Sequence, residues 1–448
     1  MHTLKLGTRR SLLAWAQSGW VAREIERLNP GLKVELVGID TRGDRIQDVP
    51  LQAVAGKEFF VAELDEALRT GSVDLTVHSL KDLSLDRPSD FTLAAIPRRE
   101  NPRDVVLFGP HAIERLKQGE TLKIGTSSPR RLENLPSFLS QALPGREPAR
   151  LQFVEIRGNV NTRLSRVHEP LTSDRYLDGV VLAFAGLIRL WADERARTDM
   201  APLLKGVRWM VLPLRECPAA PGQGALAVEC RSNDAFVRDA LGKLHHGPSA
   251  RQVELEREVL RESGGGCHQR FGATALDAEG LSPILFIRGK MPDGRALDER
   301  RFEQPSHPRA QRTWDGTEWR AASTHQKLPT QGLPTSGRAV FVAHARAAEG
   351  AELSQARVWT SGVPSWFKLA REGVWVEGCA ENLGYISVAS TIAEPVLDLP
   401  TSWMILTHDR AHTGWPKEFD VVPTYSVSAV DYSAQAIEAL QQATSVFW

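Results

Sequence analysis

The chain has 448 residues, 42% of them hydrophobic and 25% charged, a profile of globular chains with room for roughly two to four domains. Lys plus Arg equals Asp plus Glu, so the net charge is zero and a basic surface for non-specific nucleic-acid binding is not expected. No run of about 18 apolar residues predicts a membrane span, no secretory signal is read at the start, and the cysteines at 217, 230, 267 and 379 form no CxxC pair, so a reducing cytoplasm is expected.

Leu4 to Gly7 reads as a strand, followed by a helix from Ser11 to Leu28 with Ala14, Val21, Ile25 and Leu28 on one stripe. Val34 to Ile39 is the next strand and runs into Thr41-Arg42-Gly43-Asp44. A helix fits Phe60 to Leu68, and a strand over Val73 to Val77 leads to His78-Ser79-Leu80-Lys81-Asp82. Strands alternating with helices predict a parallel α/β sheet. The pattern then recurs. Leu122-Lys123-Ile124-Gly125-Thr126 echoes Leu4-Lys5-Leu6-Gly7-Thr8, the strand at Phe153 to Ile156 ends in Arg157-Gly158-Asn159, and Gly179 to Leu182 is again apolar. Two similar α/β domains facing one another across a cleft are expected, since ligands of open α/β sheets bind at the carboxyl ends of the strands. Gln252 to Arg261 reads as a charged helix, and alternating strands follow to Lys290, which predicts a smaller α+β domain. Residues 304–338 are rich in Pro, Ser, Thr and Gln and read as a linker. A last unit covers 339–448, and eight of the twelve tryptophans lie after residue 300.

The strand ends collect cations. The first half supplies Arg9, Arg10, Ser11, Arg42, Lys57, Lys81 and Asp82; the second supplies Thr126, Ser127, Ser128, Arg130, Arg131, Arg157 and Arg163. So many cations in a chain of zero net charge point to a polyanionic ligand. Ser127-Ser128-Pro129-Arg130-Arg131 carries the clearest signal, a serine at a helix N-cap with proline in the first turn. Helix N-termini bind anions, and two arginines there oppose the helix dipole, so a compensating anion is required. Asp82 is the carboxylate beside these cations and is the candidate acid–base or cation-stabilising group. Gly264-Gly265-Gly266-Cys267-His268-Gln269 is a loop without side chains before a cysteine, which suits an accessible thiol used as an attachment point.

Together these stretches resemble the hydroxymethylbilane synthase (porphobilinogen deaminase) family over residues 1 to about 300. The matching motifs are Gly7-Thr8-Arg9-Arg10-Ser11, Thr41-Arg42-Gly43-Asp44, Gly56-Lys57-Glu58-Phe59-Phe60, His78-Ser79-Leu80-Lys81-Asp82, Gly125 to Arg131, Arg157 to Arg163, Leu182 to Leu187, Pro221-Gly222-Gln223-Gly224-Ala225 and Gly265-Gly266-Cys267. The resemblance implies two domains of the type II periplasmic-binding-protein kind (1–100 with about 215–240, and 101–214) and a small α+β domain (245–303) carrying the cofactor cysteine. It also implies a dipyrromethane cofactor in thioether linkage to Cys267, from which four porphobilinogen units are joined head to tail with loss of ammonia and then released as hydroxymethylbilane, in tetrapyrrole and haem biosynthesis. Asp82 takes the catalytic position. Lys81, Ser127, Ser128, Arg130, Arg131 and Arg157 take cofactor-binding positions. Arg9, Ser11, Lys57, Phe60, Arg163 and Gln223 take substrate-binding positions. The partner expected is porphobilinogen, with no metal, nucleic acid or membrane, and the chain is expected to be a monomer. Leu12 stands where the family usually has proline, Leu83-Ser84 where it has valine-proline, and Ala53, Glu58 and His268 are further departures.

In the last unit, Val358 to Gly362, Gly378 to Gly384 and Val421 to Tyr425 resemble parts of uroporphyrinogen-III synthase. The segment is about half the length of that two-domain enzyme, so an accessory domain is expected. The rival readings are a bifunctional fusion and a non-catalytic anion-binding protein.

Overall fold

The computed structural model describes residues 2–41, 61–265, 269–277, 283–302, 313–314, 324–329, 332–411, 414–428, 433–443 and 445–446. Cys267, Lys57 and Phe60, together with Arg42, Ala53, Glu58 and His268, lie outside them.

The first lobe starts with β1 (His2–Arg9), α1 (Leu12–Leu28) and β2 (Leu32–Ile39). Ser11 is extended and its hydroxyl accepts the Ala14 N–H at 3.3 Å, which starts α1. Asn29 ends the helix: its side chain donates to the Ile25 and Ala240 carbonyls at 3.0 and 3.1 Å. Val21 and Ile25 bury the inner face against Leu4, Leu6 and Leu75. α2 (Ala62–Arg69), β3 (Leu75–Ser79) and β4 (Phe91–Ala95) complete the outgoing part of this lobe.

The chain then crosses to the second lobe, which holds β5 (Asp104–Phe108), α3 (Ala112–Lys117), β6 (Leu122–Gly125), α4 (Pro129–Ala142), β7 (Leu151–Val154), α5 (Val160–Ser165), β8 (Gly179–Ala183), α6 (Phe184–Ala192), α7 (Glu194–Leu204) and β9 (Arg208–Val211). It returns as β10 (Leu226–Arg231) and α8 (Ala235–Gly242). The five-stranded sheets have the orders β2-β1-β3-β10-β4 and β7-β6-β8-β5-β9. In each, three parallel strands meet an antiparallel strand contributed by the crossing chain, β10 in one and β5 in the other. β1 and β6 hold equivalent places, so the Leu-Lys-x-Gly-Thr repeat marks a repeated architecture, the type II periplasmic-binding-protein arrangement. The lobes touch where Leu12 and Leu13 pack on the cluster that includes Leu187 and Ile188.

The third unit is α9 (Gly247–Glu262) against the antiparallel sheet β11 (Arg270–Leu276), β12 (Ile284–Lys290) and β13 (Ala296–Phe302). Val259, Leu260, Phe271, Ala273 and Ile287 form its core.

A short parallel pair joins β14 (Thr313–Trp314) to β21 (Ser445–Val446). The C-terminal unit is a six-stranded sheet, β15-β20-β19-β16-β17-β18, built from β15 (Thr324–Lys327), β16 (Ala339–Val342), β17 (Arg357–Thr360), β18 (Val376–Cys379), β19 (Trp403–His408) and β20 (Asp420–Ser428). Helices α10 (Val363–Arg371), α11 (Ile386–Ile392) and α12 (Ala434–Gln441) accompany it. β15 lies within the Pro-, Ser-, Thr- and Gln-rich stretch 304–338. All four of its residues are exposed, so no apolar period announces it, and antiparallel pairing with β20 makes the strand. The unit docks on the second lobe. Trp366 meets Phe138 edge-on at 5.2 Å and donates to the Ala142 carbonyl at 3.0 Å. Trp375 meets Phe108 at 5.2 Å and donates to the Trp209 carbonyl at 2.9 Å.

Candidate active site at the facing strand ends

β3 ends in a tight turn, Leu80–Asp82. Leu80 and Leu83 are buried with Val61, Ile96 and Ala225, and this anchorage sets the direction of the two residues between them. Lys81 is half-buried and its ammonium donates to the Gln223 side-chain oxygen at 3.2 Å. Asp82 is exposed. Burial lowers the Lys81 pKa; Asp82 and Asp104 oppose that shift, while Arg131 and Arg130 reinforce it. His78 is buried beside Thr76 and Glu229, and burial with the nearby Arg87 and Arg9 drives its pKa to about 3, so it is a neutral packing residue.

On the second lobe Ser128 occupies the N-cap of α4 with Pro129 in the first turn, as the motif predicts. Its side chain makes no capping bond, however; its N–H donates to Thr126 Oγ1 at 3.3 Å. The Ser127 hydroxyl donates to the Ile156 carbonyl and accepts the Ile156 N–H, tying the end of β6 to the residue before Arg157. Arg130 and Arg131 find a compensating anion within the protein. Both are buried on Asp104, Arg130 Nη2 at 2.7 Å from Oδ2 and Arg131 Nη2 at 2.7 Å from Oδ1. Arg130 also donates to the Pro218 carbonyl at 2.8 Å and Arg131 to the Val181 carbonyl at 2.9 Å. Asp104 is thus the anion that a doubly cationic first turn requires. Burial alone would raise its pKa, but the two guanidiniums hold it well below the usual carboxylate range. Gln223 closes the group: its amide donates to Asp104 Oδ1 at 2.8 Å and to the Pro102 carbonyl at 2.7 Å while its oxygen receives Lys81. One hydrogen-bonded chain therefore runs from Lys81 on the first lobe to Arg130 and Arg131 on the second.

Arg157 precedes α5 and Arg163 lies within it. Asn159 caps this helix by accepting the Thr162 N–H at 2.9 Å, and Arg163 Nε donates back to the Gly158 carbonyl at 2.7 Å. Gly158 has φ +101°, and a Cβ there would lie 2.8 Å from Thr162 Cγ2, so glycine is required for this fold-back. Burial, followed by the positive charge of Arg131 and Arg157, pushes the Arg163 pKa down to about 10. Asp104 is shared by two guanidiniums, while Lys81 and Arg163 are both held below their usual ranges. A ligand bearing carboxylates would relieve that crowding, so the residues present fit a dipyrromethane carrying an acetate and a propionate on each ring.

The loop toward Cys267 is described on both sides. Gly264 and Gly265 have φ +82° and +74°, and the Gly265 carbonyl accepts from the Gln269 amide at 2.5 Å. Gly265 lies beside Leu85, and Arg257 of α9 donates to the Ser84 carbonyl at 2.9 Å, so the third unit rests on the segment that follows Asp82. Glu256 ties the same helix to Arg99 and Gly222. It accepts from Arg99 at 2.6 and 2.9 Å, from the Gly222 N–H at 2.7 Å and from the Ala275 N–H at 2.7 Å. Ser11 caps α1, and Arg9 ends β1. Cys217, Cys230 and Cys379 are buried, with thiol pKa values raised by burial, which leaves them inert. Asp104, Arg99 and Glu256 were not singled out in the sequence. Asp104 did carry a signal, a lone acid opening the fully buried run Val105-Val106-Leu107-Phe108.

Lys81 and the exposed Asp82 at a strand end of the first lobe, joined through Gln223 and Asp104 to Arg130 and Arg131 of the second, define a two-lobed α/β protein with a cationic group where its lobes meet. The family model described as porphobilinogen deaminase, dipyromethane cofactor binding domain, matches residues 4–239. Porphobilinogen deaminase of Syntrophotalea carbinolica is 39% identical over 297 residues, covering 66% of this chain and 85% of the relative. That of Shouchella clausii is 39% identical over 300 residues, covering 66% and 87%. Among solved structures, a periplasmic substrate-binding protein of an ABC transporter from Coxiella burnetii matches 56% of this chain and 96% of its own, at 16% identity and a TM-score of 0.29. The chain belongs to the porphobilinogen deaminase family, whose members are transferases also called hydroxymethylbilane synthases.

Proposed function

We propose that the chain condenses four porphobilinogen molecules head to tail and releases hydroxymethylbilane, using a dipyrromethane primer linked through a thioether to Cys267. The observation that carries this reading is the gathering of cations from both lobes: Arg131 and Arg130 act on Lys81, and Arg131 and Arg157 act on Arg163, each lowering the pKa of the group it faces. Each pyrrole added brings two carboxylates, and each charge-assisted hydrogen bond to one contributes about 1.5–3 kcal/mol. When bound, the primer supplies the free pyrrole carbon from which the chain grows. Arg9, Ser11, Lys57, Arg157 and Arg163 bind and orient carboxylates; Ser127 acts by holding the segment before Arg157; Arg130 and Arg131 contribute charge through their buried pair with Asp104. Asp82 stabilises the cation left when the aminomethyl C–N bond breaks and ammonia departs, and it takes up the proton lost as the new C–C bond forms. Phe60 and the glycine loop would shape the space in which the product lengthens, and monomeric action in the cytoplasm completes the reading.

The test is Asp82→Asn. Its side chain is exposed, so folding should be unchanged. The primer should still be attached and turnover of porphobilinogen should fall by roughly two or more orders of magnitude, the scale of general acid–base catalysis. Near-normal turnover would remove Asp82 from the chemistry.

A further inference from the structure

Both segments that join the two lobes are held by the C-terminal unit. The first crossing runs from β4 to β5 and contains Asn101, Pro102 and Arg103. The second runs from β9 to β10 and contains Leu214, Arg215 and Gln223. Glu381, just beyond β18, reaches both. Its carboxylate accepts the Leu214 N–H at 2.6 Å and the Arg215 N–H at 3.4 Å, and Arg103 Nη2 lies 3.6 Å away. Thr391 of α11 takes the other side of the first crossing. Its hydroxyl accepts from Asn101 Nδ2 at 2.8 Å and from Arg103 Nη1 at 3.4 Å. The Asn101 side-chain oxygen in turn accepts the Arg103 N–H at 3.1 Å.

These contacts are buried. Thr391 is 0% exposed, Arg103 3% and Glu381 7%. Glu381 and Asn382 also hold positive φ, +57° and +61°, a conformation that costs a non-glycine residue energy and persists only where surrounding structure enforces it. The residue after Arg103 is Asp104, which pairs with Arg130 and Arg131. Gln223 grips the same short segment from the opposite side, through the Pro102 carbonyl and Asp104, and bonds Lys81 with its remaining oxygen. An uninterrupted polar path therefore leads from Thr391 through Asn101 and Arg103 to Asp104, Gln223 and Lys81, the neighbour of Asp82.

We propose that Thr391 and Glu381 are positioning residues of the active site: the C-terminal unit, outside the region matched by the family model, sets the lobe-connecting segments and through them the Asp104–Gln223–Lys81 group. This rests on the function proposed above. It assigns the C-terminal unit a part in the same reaction rather than a second reaction of its own. Neither residue touches substrate, so the effect must travel through discrete hydrogen-bonded partners, and coupling between them is the physical warrant to be measured.

The experiment uses the full-length, primer-loaded protein and the variants Thr391→Val, Thr391→Ser, Asn101→Ala and the double variant Thr391→Val with Asn101→Ala. Valine keeps the shape of threonine and removes the hydroxyl, whereas serine keeps the hydroxyl. Rates are read per primer-loaded molecule, with loading counted by intact mass. Thr391→Val should lower kcat/KM for porphobilinogen about 5- to 20-fold and shift the mass ladder of protein-bound chains, seen at limiting substrate, toward shorter lengths. Thr391→Ser should restore both. The double variant should lose less than the two single losses combined, because the Asn101–Thr391 bond is cut in both. If Thr391→Val fails to fold, Asn101→Ala, which cuts the same bond from the lobe side, carries the test alone. Equal kcat/KM and an unchanged ladder in loaded variants of lower melting temperature would show a merely structural role and overturn the proposal. If the loaded wild type does not consume porphobilinogen, the failure belongs to the proposed function instead.

Discussion

Arg163 shows how the candidate site and the stability of the fold pull in different directions. Its guanidinium is crowded by Arg131 and Arg157, and its pKa falls to about 10 because burial and like charge both penalise the cation. Replacing it with glutamine removes a repulsive charge while sacrificing the bond to the Gly158 carbonyl. Arg163→Gln should therefore shift the melting temperature by only a few degrees, yet weaken porphobilinogen use by roughly 10- to 100-fold, the equivalent of one charge-assisted hydrogen bond. A loss of stability with unchanged kcat/KM would make Arg163 a structural residue. At this scale the sequence shows which cations stand at the strand ends but not how each is paired. Ser127-Ser128-Pro129-Arg130-Arg131 reads as a helix start whose two arginines need an anion; the structure supplies Asp104, 26 residues before Arg130. A contact between residues that distant in sequence depends on the β5–β8 pairing and leaves no local pattern.

Elements were the most legible level. Ser11 opens its helix where the sequence places the helix start, and the repeated Leu-Lys-x-Gly-Thr strand marks equivalent places in the two sheets; the helix capped by Asn159 was not read from the sequence. What stayed hidden depends on partners. β15 has no apolar face, and the order of strands in the C-terminal sheet follows pairings that no periodicity encodes. α10 is one of the elements that bind the C-terminal unit to the second lobe, and Trp366 is its fully buried anchor. Trp366→Ala should cost about 3–5 kcal/mol in denaturant unfolding, the usual loss for a large aromatic truncated in a core. A loss below about 1 kcal/mol would mean that the two units do not share a folding core.

At the scale of the whole molecule the C-terminal unit is continuous with the second lobe: Phe108, Phe138, Trp366 and Trp375 belong to one apolar cluster. The porphobilinogen deaminase family model ends at residue 239, short of this unit, so its resemblance to uroporphyrinogen-III synthase is not shown, and its Cys379 and Glu381 are buried. The seam also carries a pH response. Burial and the neighbouring Glu100 raise the Glu394 pKa from 4.5 to about 7. Between those values the folded chain keeps a proton that the unfolded chain has released, so this group's effect on stability becomes less favourable as pH rises from 4.5 to 7. Glu394→Gln should raise the melting temperature at pH 8 and leave it nearly unchanged at pH 4.5. Equal effects at both pH values would exclude a perturbed Glu394.

A primer carried by Cys267 would show in the denatured intact mass of the purified chain followed by peptide mapping. Added mass equal to two pyrrole units is expected, located on the peptide containing Cys267. An unmodified Cys267 in protein made by cells able to synthesise porphobilinogen would contradict it and would leave the arginines and lysines of the cleft in need of another ligand.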